Sequence, residues 1–92
     1  MATKAYVLIE TSVGKSKDVV TKLRSHRRVR TADTVTGPYD VIAVVEAADL
    51  NAVGDLVTGQ IHTLNGIVRT LTCLSVGSSK DNSIAFPITE QG

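Results

Sequence analysis

Four short stretches of the chain carry apolar residues in the patterns of β-strands. Each is rich in Val, Ile or Thr and is bounded by polar or turn-forming residues, as strands are. The four stretches are residues 4–11, 27–36, 39–47 and 67–76.

Strand periodicity also predicts which side chains share a face, because successive residues of a strand point to opposite sides. In the fourth stretch Thr70 and Thr72 share one face, and Cys73, among apolar neighbours, is expected to be an inert core residue. In the second stretch one face is expected to carry Val29, Thr31, Asp33 and Val35.

Two longer stretches show apolar residues at the spacing of helices. Residues 15–26 place Val19, Val20 and Leu23 on one side, and Gly14 or Ser16 is expected to cap the start of this helix. The second helix covers residues 49–64 and repeats apolar side chains every three or four positions: Leu50, Val53, Val57, Ile61 and Leu64.

Glycines weaken the second helix and mark its end. Gly54 and Gly59 each lower its intrinsic stability by about 1 kcal/mol relative to Ala. Asn65 and Gly66 follow it directly, and both residue types tolerate the left-handed backbone of a helix end.

The segment Thr36-Gly37-Pro38-Tyr39-Asp40 joins the second and third strands. Gly is conformationally permissive and Pro fixes φ near −65°, so Gly37 and Pro38 predict a hairpin turn. Asp40 is unusual because it opens an otherwise apolar strand. Its carboxylate can cap backbone donors in the turn, or it can hold the ammonium group of a small ligand.

The order βαββαβ predicts an α+β, ferredoxin-like fold with a four-stranded antiparallel sheet. Right-handed crossovers place both helices on one face of such a sheet. The other face, filled by apolar residues and Thr, then needs a cover. A second copy of the chain is the economical cover, which gives a two-fold homodimer with sheets packed face to face.

Composition narrows the function classes for this single domain. The 92 residues carry a net charge of +1, so no broad positive field favours nucleic acid or membranes. The one cysteine cannot form an internal disulfide, and no apolar h-region or membrane-length run is present, so a cytoplasmic protein is expected. Neither histidine has other ligands at metal spacing, and no catalytic constellation or cofactor motif is recognised.

Basic residues cluster at the end of the first helix, where cations complement the helix dipole. A solvated surface is the favoured interpretation, because no aromatic residues are interleaved to stack bases. The cluster consists of Arg24, His26, Arg27, Arg28 and Arg30.

Residues 77–92 change composition to a polar run followed by a short apolar one. They are predicted to be a C-terminal tail, either flexible or docked on the body or on a neighbouring subunit, after a domain formed by residues 1–76.

The segment TGPYDVIAVVEAADLNAVGDLV, followed by GIVRTLTCLSV, resembles the effector-binding domain of the leucine-responsive/asparagine (Lrp/AsnC) family of feast/famine transcription regulators. The likeness covers residues 4–76, with Gly37 and Asp40 at the family's hairpin turn and Thr70-Leu71-Thr72 in its last strand. The family's helix-turn-helix domain has no counterpart before residue 4, so a stand-alone sensor domain without direct DNA binding is expected.

The resemblance implies a dimeric α/β barrel, assembly of dimers into an octamer or decamer, and an amino acid bound between dimers. The ligand-binding residues that it indicates are Thr36, Gly37, Tyr39, Asp40, Thr70 and Thr72. Each has a structural alternative, since Thr is common in strands and Tyr39 can simply pack at the turn.

Three functions remain open at this point. The favoured one is a non-catalytic sensor and assembly module. The second is an enzyme of the small monooxygenase type, since dimeric α/β barrels include such catalysts and fold does not decide function. The third is a modulator that forms mixed oligomers with full-length regulators of the same family.

Overall fold

The computed structural model describes residues 2–76. The predicted tail, residues 77–92, lies outside the described residues. All six predicted elements are present, in the predicted order: β1 (Thr3–Thr11), α1 (Ser16–Arg24), β2 (Val29–Thr34), β3 (Val41–Ala47), α2 (Leu50–Leu56) and β4 (Ile67–Leu74).

The four strands form one antiparallel sheet in the order β2-β3-β1-β4. The two middle strands, β1 and β3, are adjacent although a helix and a strand separate them in sequence. This is the ferredoxin-like arrangement, and the predicted fold class is confirmed.

One face of the sheet packs against both helices and forms the core. Alternate residues of the two middle strands are fully buried there, and Val19 and Leu23 of α1 and Val53 of α2 pack onto them. The buried strand residues are Ala5, Val7, Ile9, Val41, Ala43 and Val45. None of the described residues with a charged or polar side chain is buried in this core.

Among residues 2–76, no helix lies over the opposite face of the sheet. It carries the other residues of the same strands, and Tyr6 is 39% and Leu71 50% exposed. We call this surface the open face; its apolar members are Tyr6, Leu8, Ile42, Val44, Leu71 and Cys73. Cys73 pairs with Tyr6 on it and is exposed, so the prediction of a core cysteine is wrong. Cys73 is exposed because it lies on the open face, in a strand at the edge of the sheet.

The register of β2 also differs from the predicted alternation. A bulge between Val29 and Thr31 shifts the pairing with β3, so that Val29 and Ala32 are buried while Thr31 and Asp33 are exposed. A bulge adds one residue to one strand and reverses the parity beyond it. The predicted common face for Val29 and Thr31 is therefore wrong.

The helices differ from expectation at their ends. Lys15 occupies the N-cap of α1 without a side-chain hydrogen bond, so neither Gly14 nor Ser16 caps it. Asp49 caps α2, because its Oδ1 accepts the backbone N–H of Ala52 at 2.8 Å. The second half of the predicted helix is a π-helical segment, Val57–Ile61, in which a bond from the His62 N–H to the Val57 carbonyl closes at 2.7 Å.

Gly66 ends this helical region as predicted, with φ of +99°. A Cβ there would lie 2.9 Å from the Cβ of Lys15, so the position requires glycine on steric as well as conformational grounds. Among residues 2–76, no helix is long and apolar enough to cross a membrane.

Candidate functional site

The turn between β2 and β3 is an exposed hairpin tip. The Val35 N–H donates to the Asp40 carbonyl at 2.9 Å and closes the turn, while Gly37 adopts a φ of +152° at its apex. Thr36 and Gly37 are exposed, and Tyr39 and Asp40 are half-buried. The tip therefore presents backbone and hydroxyl groups to solvent on a fixed scaffold.

Asp40 anchors this tip to the first strand. Its Oδ2 accepts the Thr11 N–H at 2.8 Å, and its own N–H donates to the Ile9 carbonyl at 2.9 Å. The carboxylate therefore accepts from a backbone donor of β1 and not from the donors in the turn that the sequence had suggested. For the described residues, hydrogen bonds to this carboxylate involve Oδ2 only, so Oδ1 can still accept from a ligand.

The two threonines of β4 share one face, as their parity predicted, and the structure shows that this is the helix-covered face of the sheet. Thr70 is opposite Ile9 and Thr72 is opposite Val7, and both Thr residues are half-buried. The Oγ1 of Thr70 is 3.3 Å from Nδ1 of His62, which follows the π-helical segment.

Thr72 lines an apolar groove between α2 and β4. The groove has a volume of about 300 Å³ and no ionisable side chain among its lining residues. They are Leu50, Val53, Gly54, Val57, Thr58, Thr72 and Leu74.

A single chain does not join the two halves of the predicted site. Val41, next to the turn, pairs with Ile9, and Ile9 pairs with Thr70 on its other side. The turn and Thr70 are therefore two strand spacings apart, about 10 Å. In the described part of the chain, no hydrogen bond links the tip to Thr70 or Thr72.

The structure adds two features that the sequence did not indicate, His62 beside Thr70 and the groove under Thr72. The three-and-four spacing of apolar residues in the second helix did not indicate that the helix would become π-helical just before His62. Within residues 2–76, no group of three or more His, Cys, Asp or Glu side chains could hold a metal ion.

Solved structures with this fold include three that the match covers over almost their whole length. The structure named FFRP-DM1 is 31% identical, with a TM-score of 0.77, and the match covers 80% of this chain and 99% of that one. A hypothetical protein from Pyrococcus horikoshii is 30% identical, with a TM-score of 0.76 and coverages of 86% and 94%. A protein from Thermus thermophilus is 30% identical, with a TM-score of 0.79 and coverages of 86% and 99%.

The same fold occurs within a longer regulator. AsnC from E. coli is 22% identical with a TM-score of 0.79, and the match covers 89% of this chain and 56% of that one. No curated protein matches the chain significantly by sequence.

The family model described as the Lrp/AsnC ligand binding domain matches residues 4–84, which include both the hairpin tip and β4. The chain therefore belongs to the Lrp/AsnC ligand-binding domain family.

Proposed function

We propose that this domain binds a small molecule of the amino-acid class and couples its binding to assembly of the chain into a homo-oligomer. The observation that carries the proposal is the geometry of Asp40 at the exposed tip: among residues 2–76 its carboxylate is bonded through Oδ2 alone, by Thr11, and Oδ1 can accept from a ligand. A fixed carboxylate with a free oxygen is suited to accept hydrogen bonds from an ammonium group.

The rest of an amino acid also has matching partners. A ligand carboxylate needs donors, which the backbone of Thr36 and Gly37 and the hydroxyls of Thr70 and Thr72 provide, while Tyr39 forms a wall. Because β1 separates the tip from the threonines within one chain, we place the ligand between chains, where another copy can bring the two halves together. A transcriptional regulator from Neisseria meningitidis, 17% identical to this chain, was solved as an L-Met complex, which makes amino acids the class to test first.

Assembly follows from the open face. Its central members, Leu8, Ile42 and Val44, are only half-covered within one chain, and an apolar patch of this kind marks an interaction surface. A two-fold dimer that packs two open faces together covers both at once. Further association of dimers into an octamer or decamer then creates the sites between dimers.

We infer a role in regulation, not in catalysis. The groove between α2 and β4 is where an enzyme of this fold would bind its substrate, and its lining offers two threonine hydroxyls and no ionisable group. Mixed oligomers with full-length regulators would carry the effect to transcription without direct DNA contact. The chain's single cysteine suits a cytoplasmic, reducing compartment.

The test is thermal unfolding of the 92-residue chain in the presence of each of the twenty amino acids, with light-scattering mass recorded in parallel. A ligand at about a hundred times its Kd stabilises the native state by about 2.7 kcal/mol, which is a clear shift for a domain of this size. The matching amino acid is expected to raise Tm and to change the oligomer distribution.

Asp40→Asn is the informative variant, because the amide oxygen still accepts the Thr11 N–H while the negative charge is lost. We expect it to fold normally and to weaken binding at least about tenfold, since a charged hydrogen bond contributes about 1.5–3 kcal/mol. Asp33→Asn is the matched control, an exposed carboxylate on β2 that is ion-paired to Arg24 at 3.2 Å. Absence of any selective shift in the wild type, or equal losses in both variants, would overturn the proposal.

A further inference from the structure

A groove lined by polar side chains lies where the end of α1 meets the π-helical segment. Its volume is about 390 Å³, and it is lined by Ser25, His26, Arg27, Arg28 and Gln60. Arg28 also lines two adjoining grooves, of about 410 and 310 Å³, together with Arg30 and Glu46. Arg28 is common to all three grooves.

The arginines of this region differ in what they contact. Arg24 donates to the Ala32 carbonyl at 2.8 Å and pairs with Asp33, and Arg30 donates twice to Oε1 of Glu46, at 3.1 and 2.8 Å. The ion pairs of the described residues include neither Arg27 nor Arg28. The positive charge of these two side chains is therefore available to a ligand.

His26 sets which groups of Gln60, on the other side of the groove, act as donors. Its Nδ1 accepts the Arg28 N–H at 3.2 Å, so the neutral ring carries its proton on Nε2. Nε2 then donates to Oε1 of Gln60, which orients the amide. The NH₂ group of Gln60 remains as a donor, while Ser25 donates its hydroxyl to the Lys22 carbonyl at 2.7 Å.

We propose that this groove binds a small phosphate-bearing anion through Arg27, Arg28 and the amide of Gln60. Two guanidinium groups and an oriented amide supply more donors than the two oxygens of a carboxylate can use. Phosphate and pyrophosphate groups present more oxygens, in the geometry that the guanidinium fork matches.

This site is separate from the hairpin tip. Arg28 and Arg30 flank the start of β2, where Val29 pairs with Val45, whereas the tip follows the pairing of Thr34 with Val41 at the other end of β2 and β3. The two pairs lie about 14 Å apart along β3. The anion site and the amino-acid site can therefore be altered independently, and the inference goes beyond the proposed function.

The experiment is calorimetric titration of the 92-residue chain with sodium pyrophosphate and, separately, with inorganic phosphate and with sulfate. We expect saturable binding of pyrophosphate, one per chain, that weakens with added salt. The double variant Arg27→Gln/Arg28→Gln is expected to lose at least about tenfold in affinity, since two charged donors are removed.

Two further variants make the result specific. Gln60→Glu keeps an acceptor for His26 but places a negative charge in the groove, so it is expected to abolish binding of the anion. This variant tests the site independently of whether the double arginine variant folds. Lys17→Gln/Lys22→Gln removes the same two charges from exposed positions of α1 that do not line the groove. This control is expected to stay within about twofold of the wild type, because it changes net charge alone.

No saturable binding up to about 10 mM pyrophosphate, a range well above ordinary ligand Kd values, would overturn the inference. Equal weakening by the lysine control, or normal binding by Gln60→Glu, would overturn it as well. If the chain bound long RNA but not pyrophosphate, the groove would be part of a non-specific charged surface and the inference of a phosphate site would be wrong.

Discussion

The two faces of the sheet are built from the same strands and differ in how they are covered. On the helix side, Val7 and Ile9 of β1 are fully buried in the single chain. One position away, Tyr6 and Leu8 point to the open face and keep part of their surface in contact with solvent. Val44 and Val45 of β3 show the same contrast.

Hydrophobicity alone therefore does not mark the core. Leu8 is as apolar as Val7, yet only one of them lies under a helix. The strand alternation assigns each residue to a face, and the crossover handedness assigns both helices to one of the two faces. The second apolar face is then left for a partner, which is the basis of the proposed dimer.

The largest expected loss of stability comes from a substitution on the helix-covered face of the sheet. Ile9→Ala shortens a fully buried side chain and is expected to cost about 2–5 kcal/mol in the free energy of unfolding. Leu8→Ala, its neighbour on the open face, should cost less, and its cost should rise with protein concentration as the dimer forms. Urea unfolding at several concentrations measures both. A cost for Leu8→Ala that equals that of Ile9→Ala at every concentration would contradict the contrast between the faces.

The next effect is on assembly. Val44→Lys places a charge in the middle of the open face, where two sheets cannot pack over it without burying the ammonium group. We expect the light-scattering mass to fall to that of a single chain while the circular dichroism spectrum stays native. Val13→Lys is the control, the same substitution at a fully exposed loop position. An unchanged oligomer in Val44→Lys would exclude this face as the dimer interface.

The smallest effect is expected from a polar contact. Arg69 and Glu10 form an ion pair at 3.2 Å, with side chains 67% and 41% exposed. Such exposed pairs contribute less than about 1 kcal/mol because water and salt screen them. Arg69→Ala should therefore shift the urea midpoint only slightly and leave the mass unchanged. A loss as large as that of Ile9→Ala would mean that polar contacts, and not apolar burial, dominate this part of the sheet.

Local patterns were sufficient for the elements of the fold. The apolar run of residues 4–11 and the three-and-four spacing in residues 15–26 each correspond to a single element. The turn at Gly37 and the helix end at Gly66 were predictable because their backbone angles favour one residue type.

Tertiary contacts decided the details in which the expectations failed. The bulge at Val29 and Thr31 depends on the partner strand, since β2 alone carries no signal of where its register shifts. Cys73 looks like a core residue among its neighbours, but it lies on the open face, opposite the face that packs against α1 and α2. The helix after Leu56 continues with π-helical bonds, a change that the spacing of apolar residues does not reveal.

The amino-acid pattern alone was enough to give the order of the elements, the residues that share a face away from the register shifts, and the position of the hairpin. These follow from interactions between residues close together in the chain. The packing of the elements was needed to show that Asp40 bonds to Thr11, 29 positions away, and that His26 orients Gln60, 34 positions away. Such contacts depend on how the packed elements meet in space, and local periodicity contains no information about those distances.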